Sequence, residues 1–441
     1  MATFASAVLL SLVLQSIPPA PRPPAPPPGP QNPAAGSAAP DGYAPSPQWL
    51  GQTRAPVPAV KSRYDVATVA EGFNGAFCFS FLPDGRILVG ERPGRVKIVS
   101  RDGTISAPIE GLPANLYARQ GLFEVRADRA FATNRTIYLT YTALPDAIDP
   151  STRRSPGVLL VARARLSSDD RRLEDVKVLL DAEGTGGRLI QAPDGTLLVT
   201  STIPSGVGID SADWPQPQQL DSLMGKVLRI NPDGSIPTDN PFAGRAGARP
   251  EIYALGFRDV QGVAIQPGSG RLWTSEHGPR GGDEINVVKK GGNFGFPVIT
   301  YGHDYSGKSI NDDRTAQQGM EQPVYFWTPD IAPAGIAFYE GRQFPSWKGN
   351  LFVSALAGKA LIRLGLDHDR VVTEERLLTE LNARIRGVAE GPDGALYVLT
   401  DGNNGKIVKL TASAEPGPGR GGRRAAPAHR TPPASSPAPA R

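Results

Sequence analysis

The chain has 441 residues, 50 of them glycine and 45 proline, and a formal charge of +4. That length admits several ordinary domains or one long all-β unit, and the glycine and proline content marks a turn-rich chain. Arginines in the two tails contribute much of the positive charge, and no dense Lys/Arg run with interleaved aromatics occurs, which excludes a nucleic-acid-binding signature; the one cysteine, Cys78, excludes an intramolecular disulfide.

At the N-terminus, MATFASAVLLSLVLQ carries an apolar run long enough for the core of a signal peptide and too short to cross a bilayer. Residues 1–16 therefore read as an export signal, the location as periplasmic or secreted, and no transmembrane span is expected. Residues 17–60 are dense in Pro, Ala and Gly, bury too little apolar surface to fold alone, and read as a disordered linker. The Pro/Arg-rich tail 412–441 reads the same way.

Between these segments, residues 61–411 return repeatedly to one pattern: an apolar strand, a Pro-Asp-Gly or Pro-Gly-Ser-Gly turn, and a second alternating strand. GAFCFSF comes first, with Cys78 alternating among apolar residues as a small buried hydrophobe. The copies are FLPDGRILVGE from Phe81, QAPDGTLLVTS from Gln191, IQPGSGRLWTSE from Ile265 and EGPDGALYVLTD from Glu390, with RINPDGSIP from Arg229 as a variant. Pro presets the first turn angle and Gly supplies the positive φ of the return, so each copy specifies a hairpin. Helical periodicity is weak, which argues against an α/β fold. Dividing roughly 350 core residues among blades of ~45–60 makes six the natural count, with seven also allowed. The expected fold is an all-β, six-bladed β-propeller with disordered Pro-rich tails at both ends.

A propeller's ligand sits at one end of its central channel, so site residues should be scattered along the sequence. The densest stretch is ALGFRDVQGVAIQPGSGRLWTSEHGPRGGDEINVVKKGGNFGFP, from Ala254 to Pro297. It contains Arg258 and Asp259 in GFRDVQG, Gly278 and Pro279 in EHGP, and the acids Asp283 and Glu284. Further on, Arg384 and Arg386 in ARIRGVAEGPDG project to one face of a strand, since side-chain direction repeats every two residues. From the residues alone, Arg258 reads first as a surface or blade-bridging ion pair and the arginine pair as an exposed strand face, while Trp327 in WTPDIAPAG either flanks a ligand or fills a blade core. No Walker loop, dinucleotide fingerprint or nucleophile–base arrangement is present, and one Cys with four separated His makes a zinc site unexpected.

With GRLIQAPDG, QQLDSLMGKVLRINPDG and RQFPSWKGNLFVSAL, these motifs cover nearly the whole core, and the chain resembles the soluble quinoprotein aldose sugar dehydrogenases, the glucose/sorbosone dehydrogenase family. The resemblance implies six blades and two cofactors, pyrroloquinoline quinone (PQQ) and calcium. It also implies an aldose substrate oxidised at its anomeric C–OH by hydride transfer to the quinone, and an external electron acceptor. It assigns Arg258 to the quinone carbonyls, Arg384 and Arg386 to its carboxylates, and the main-chain carbonyls of Gly278 and Pro279 to calcium, with Asp283 and Glu284 bracing the loop. Arg119, Asp259 and Trp327 are assigned to the cofactor surroundings.

The chain also departs from the family's pattern. The histidine base that precedes Gly-Gly-Arg-Leu is matched by Gly184 in DAEGTGGRL, and the only histidines, His277, His303, His368 and His429, all lie in the second half. A downstream carboxylate is matched by Ile203, a glutamine by Arg119, an asparagine by Asp259 and a lysine by Ala357. Loss of a general base typically removes a factor of ~10² to 10⁴ in rate. Asp181, Glu183 and Asp210 are the replacement candidates, and restoring histidine at position 184 is expected to raise sugar oxidation. Two readings follow: a PQQ-dependent sugar dehydrogenase with altered catalysis, or an inactive propeller that binds carbohydrate or protein.

Overall fold

A computed structural model describes residues 45–117, 121–143, 158–204 and 207–413. The predicted signal, the linker up to residue 44 and the tail from 414 lie outside the described residues, as does Arg119. Within them the expected propeller is present: five four-stranded antiparallel sheets and one three-stranded sheet. The innermost strands are Ala76–Phe81, Leu122–Ala127, Leu189–Gln191, Val260–Ile265, Pro333–Phe338 and Ile385–Glu390. Each packs against the next and the last against the first, which closes a ring of six blades.

The sixth blade takes its outermost strand from the other end of the chain. Tyr64–Phe73 pairs antiparallel with Gly405–Ala412, from Tyr64 opposite Ala412 to Phe73 opposite Gly405. The strand thus includes Ala412, one residue into the segment assigned to the tail.

Apolar residues form one cluster per blade interface. Cys78, Leu88, Val125 and Leu139 pack between blades one and two, and Val161, Leu180, Leu197 and Leu228 between two and three. Trp273, Ile285, Ile336 and Val353 fill the fourth interface, and Phe79, Val89, Leu399 and Ile407 close the ring between six and one. Both faces of a blade are covered, so core strands such as Ile87–Glu91, Leu197–Ser201 and Leu351–Ala355 are buried at every position rather than alternating.

Three Pro-Asp-Gly turns, at Pro83, Pro193 and Pro392, and the Pro-Gly-Ser-Gly turn at Pro267 join an innermost strand to its neighbour, so all four lie at the same end of the ring. Gly85 and Gly195 have φ of 86° and 89°, and the preceding aspartates accept main-chain bonds from Arg86 and Thr196. These turns leave the opposite end to longer loops.

Residues 45–60 correct the linker boundary. Gln52 is fully buried; its Nε2 donates to the Pro323 carbonyl at 2.9 Å, and its own carbonyl accepts Phe326 N. Ala55 N donates to the Tyr325 hydroxyl, Glu374 N donates to the Pro56 carbonyl, and Ser62 binds the Glu375 carboxylate. Composition is blind to this because the stabilisation comes from hydrogen bonds to the outer strands of blades four and five, not from the segment's own apolar content.

Gln52→Ala leaves a buried carbonyl without its donor and should lower stability by about 1–3 kcal/mol, read as a shifted urea midpoint. Burial pushes the Cys78 thiol up to about 12. Native protein should therefore resist thiol alkylation at pH 8 and react fully only after unfolding, which a mass-spectrometric time course checks.

Candidate functional site

The site lies where the innermost strands begin, at the end of the ring away from the Pro-Asp-Gly turns. A cavity of about 500 Å³ runs along the axis on the turn side, lined by the innermost strands with Arg126 and Arg188. At the start of the first blade's inner strand is Phe77, and three guanidiniums surround its ring: Arg386 at 4.5 Å, Arg92 at 4.8 Å and Arg188 at 5.6 Å from the centroid. Phe123 closes the cluster edge-on at 5.5 Å. The arginines come from blades six, one and three, so only ring closure brings them together.

Arg384 and Arg386 converge as the two-residue spacing requires, both on Asp401: Arg384 Nε is 3.1 Å and Arg386 Nη2 3.4 Å from Oδ2. Arg386 is buried and Arg384 half-exposed. Burial pulls Arg386 down to about 10, opposed by Asp401 and reinforced by the positive charges of Arg92 and Arg188. Arg92 is lowered for the same main reason, desolvation.

Arg258 precedes the fourth inner strand. Its main-chain N–H donates to Glu276 Oε2 at 2.8 Å, and Nη1 donates to the carbonyls of His277 at 3.1 Å and Gly278 at 2.8 Å. Nη2 lies 3.4 Å from the Tyr305 hydroxyl. Asp259 accepts Gln261 Nε2 at 2.6 Å, and its other oxygen is 3.6 Å from His277 Nδ1. Gln261 Oε1 is also 3.5 Å from Arg386 Nη1, linking the two arginine groups.

The EHGP loop is braced from below. Asp283 accepts Gly278 N at 3.0 Å and the main-chain N–H groups of Ile331 and Ala332 at 2.7 Å each. Asn286 donates to both Glu276 and Glu284. Burial raises Asp283 and Glu284 well above the usual carboxylate range and Glu276 to about 7.

Three residues fall outside the cluster. Trp327 fills the interface of blades four and five, where its indole N–H donates to Glu374 at 3.1 Å, so the blade-core reading describes its contacts. Glu183 is committed to Leu223 N at 2.9 Å and to Arg249 at 3.3 Å, which occupies it as a loop brace. Ile203 sits in a small apolar group with Val207 and Phe296. Arg92, Arg188, Phe77 and Asp401 were not singled out by sequence reasoning; Arg188 was in view only as the arginine of the GGRL landmark.

Gly184 cannot be treated as a simple deletion of a side chain. Its φ is +100°, and a Cβ there would sit 2.5 Å from the Thr202 carbonyl oxygen, which accepts Thr185 N across the same loop. The expectation that a histidine at 184 restores the base is revised accordingly, because the local backbone excludes any L side chain without rearrangement.

The residues suit an anion with several oxygens. The Nε atoms of Arg92, Arg188, Arg258 and Arg386 are all buried without a hydrogen-bond partner, although Arg188 Nε lies 3.2 Å from Glu124. Buried donors of this kind demand acceptors. For a metal, the described residues contain no group of three or more His, Cys, Asp or Glu side chains. Gly278 offers a carbonyl, which already faces Arg258, and a calcium ion taking 6–8 oxygens would need most of them from a bound ligand.

Residues 73–409 match the glucose / sorbosone dehydrogenase family, and the chain belongs to it. It is 36% identical over 363 residues to the aldose sugar dehydrogenase YliI of Escherichia coli K12, covering 80% of this chain and 94% of that one. To quinoprotein glucose dehydrogenase B of Acinetobacter calcoaceticus it is 27% identical over 425 residues, covering 78% and 86%. Among solved structures, the apo form of the soluble E. coli aldose sugar dehydrogenase superposes with a TM-score of 0.72 at 36% identity, covering 79% of this chain and all of the other. The PQQ-bound aldose sugar dehydrogenase of Streptomyces coelicolor gives 0.63 at 25% identity, covering 80% and 99%.

Gly184→Ala should cost about 1–3 kcal/mol, measured by urea unfolding, because it forces an L residue into a left-handed backbone against a fixed carbonyl. Gly184→His should be destabilised at least as much and show no gain in sugar oxidation.

Proposed function

We infer that this protein is a sugar dehydrogenase that holds PQQ at the arginine-lined end of its channel and oxidises an aldose. The observation that carries this reading is the convergence of buried guanidiniums from four blades, with the Nε atoms of Arg92, Arg258 and Arg386 unpartnered, on one end of a propeller whose relatives include a PQQ-bound enzyme. Arg386 and Arg92, with the more exposed Arg384, would hold the quinone's carboxylates. Arg258 would face its carbonyls. When bound, the quinone accepts the hydride from the sugar's anomeric carbon.

The chain's own residues contribute charge and position. Arg258 is fixed by Glu276 and the EHGP carbonyls, so its guanidinium is set before any ligand arrives and stabilises developing oxygen charge without reorganisation. Asp259 opposes that charge, and its bond from Gln261 orients it. Calcium would bind at the Gly278 and Pro279 carbonyls only together with the cofactor's oxygens. The third blade would carry Gly184 and Ile203 where the resemblance expects a base and a carboxylate, and with Glu183 committed to Leu223 and Arg249, Asp181 and Asp210 remain the candidates for removing the proton from the sugar hydroxyl.

That absence favours a second reading: a propeller that keeps ligand binding but not turnover. Export and delivery of electrons to an external acceptor belong to the dehydrogenase reading; among the described residues no helix is long and apolar enough to cross a membrane.

A spectroscopic titration with PQQ, with and without calcium, tests the assignment. Saturation at one equivalent is expected, strengthened by calcium, with calcium alone binding weakly. Arg386→Gln should weaken PQQ by about tenfold or more, as expected for losing a charge-assisted contact of ~1.5–3 kcal/mol. Folded protein that binds no PQQ overturns the reading, and PQQ binding without dye-linked oxidation of any aldose selects the second.

A further inference from the structure

The axial cavity on the turn side of the ring has no part in the proposed chemistry, and its two walls differ in character. Its volume of about 500 Å³ lies within the usual range for a small-molecule site, about 300–1,000 Å³. Blades two and three contribute the guanidiniums of Arg126, Arg129 and Arg188. Blades four, five and six contribute Val263, Ile336 and Val388 from their innermost strands. Arg129 is exposed at the turn end and Arg188 is buried at the deep end, so the cationic wall runs from solvent into the axis.

The charges on this wall are incompletely matched. Arg126 Nε is buried without a partner among the described residues, and its Nη2 is 3.7 Å from Glu124 Oε1, too far for a hydrogen bond. The other oxygen of Glu124 is 3.2 Å from Arg188 Nε, so one fully buried carboxylate lies between two guanidiniums and neutralises only one of them. Arg129 donates Nη1 to the Ala192 carbonyl at 3.0 Å, which fixes it at the rim. Glu390, a carboxylate on the cavity wall, has its Oε2 held by the main-chain N–H groups of Glu340 and Gly341 at 2.6 and 3.0 Å. Three arginines against Glu124 and Glu390 leave one positive charge.

One uncompensated charge opposite an apolar wall suits a ligand with a single carboxylate and an apolar body. We propose that this cavity binds a short-chain organic monocarboxylate, with the carboxylate on Arg126 and Arg188 and the chain against Val263, Ile336 and Val388. The site stands whether or not the other end of the channel holds PQQ, but the two ends are coupled through Arg188. Its guanidinium is also 5.6 Å from the Phe77 ring centroid, where its charge opposes that of Arg386. An anion on the turn side lowers the positive charge that an anionic ligand meets at the opposite end, and by reciprocity each ligand weakens the other by the same factor.

Calorimetric titration of the full chain without PQQ tests the site, with hexanoate as the probe and hexanol as its neutral counterpart. Hexanoate should bind at one equivalent and hexanol at least about tenfold more weakly, and Arg126→Gln should weaken hexanoate about tenfold, as expected for losing one charge-assisted contact. Hexanoate that binds no better than hexanol, or that binds Arg126→Gln within about twofold of wild type, overturns the proposal. So does binding that survives in Arg126→Gln and is lost in Arg386→Gln, since the anion then lies at the opposite end. Saturating hexanoate should also weaken PQQ about fivefold or more in wild type and leave PQQ affinity unchanged in Arg126→Gln. An unmoved PQQ affinity in wild type overturns the coupling, and a protein that binds hexanoate but no PQQ supports the site while removing the dehydrogenase reading.

Discussion

Everything in this structure depends on closing the ring. A blade of four short strands has two apolar faces and covers neither by itself, so each interface cluster exists only when both neighbouring blades are in place. Closure is made by pairing the first strand of the fold with the last, Tyr64–Phe73 against Gly405–Ala412, which converts an open row of blades into a circle without free edges inside it. The segment around Gln52 extends this fastening across the outer strands of blades four and five.

Closure also concentrates positive charge. Arg92 and Arg188 oppose the charge of Arg386 beside them, and burial adds a desolvation cost to Arg92 and Arg386. Phe77 offers its ring faces to all three and Asp401 neutralises part of the charge. The remaining imbalance is what an anionic cofactor would offset. Below the EHGP loop the logic is reversed: buried carboxylates are raised toward their neutral forms and act as hydrogen-bond braces. The site thus combines a hydrogen-bonded foundation with a cationic surface facing the channel.

In the third blade the GGRL segment and the loop before it play different structural parts. Its GGRL segment still delivers Arg188 to the Phe77 cluster. Two residues before that segment, the backbone turns left-handed at Gly184 and packs against Thr202, so the loop accommodates glycine there and leaves no room for a Cβ.

The sequence by itself determined the blades. Pro-Asp-Gly turns act locally, through a preset φ and a glycine return, so they were legible at Pro83, Pro193 and Pro392 without tertiary information. The closeness of Arg384 and Arg386 was legible from their two-residue spacing, although the structure joins them through Asp401, with Arg384 just ahead of the strand that carries Arg386. Tertiary structure decided what local rules do not reach. It assigned Trp327 to a blade core and drew residues 45–60 onto the propeller. It also recruited Arg92, Arg188 and Phe77, which are far apart in the chain, to one end of the channel. The physical reason is that a ring places the starts of all six inner strands together, and that proximity depends on closure rather than on any spacing along the chain.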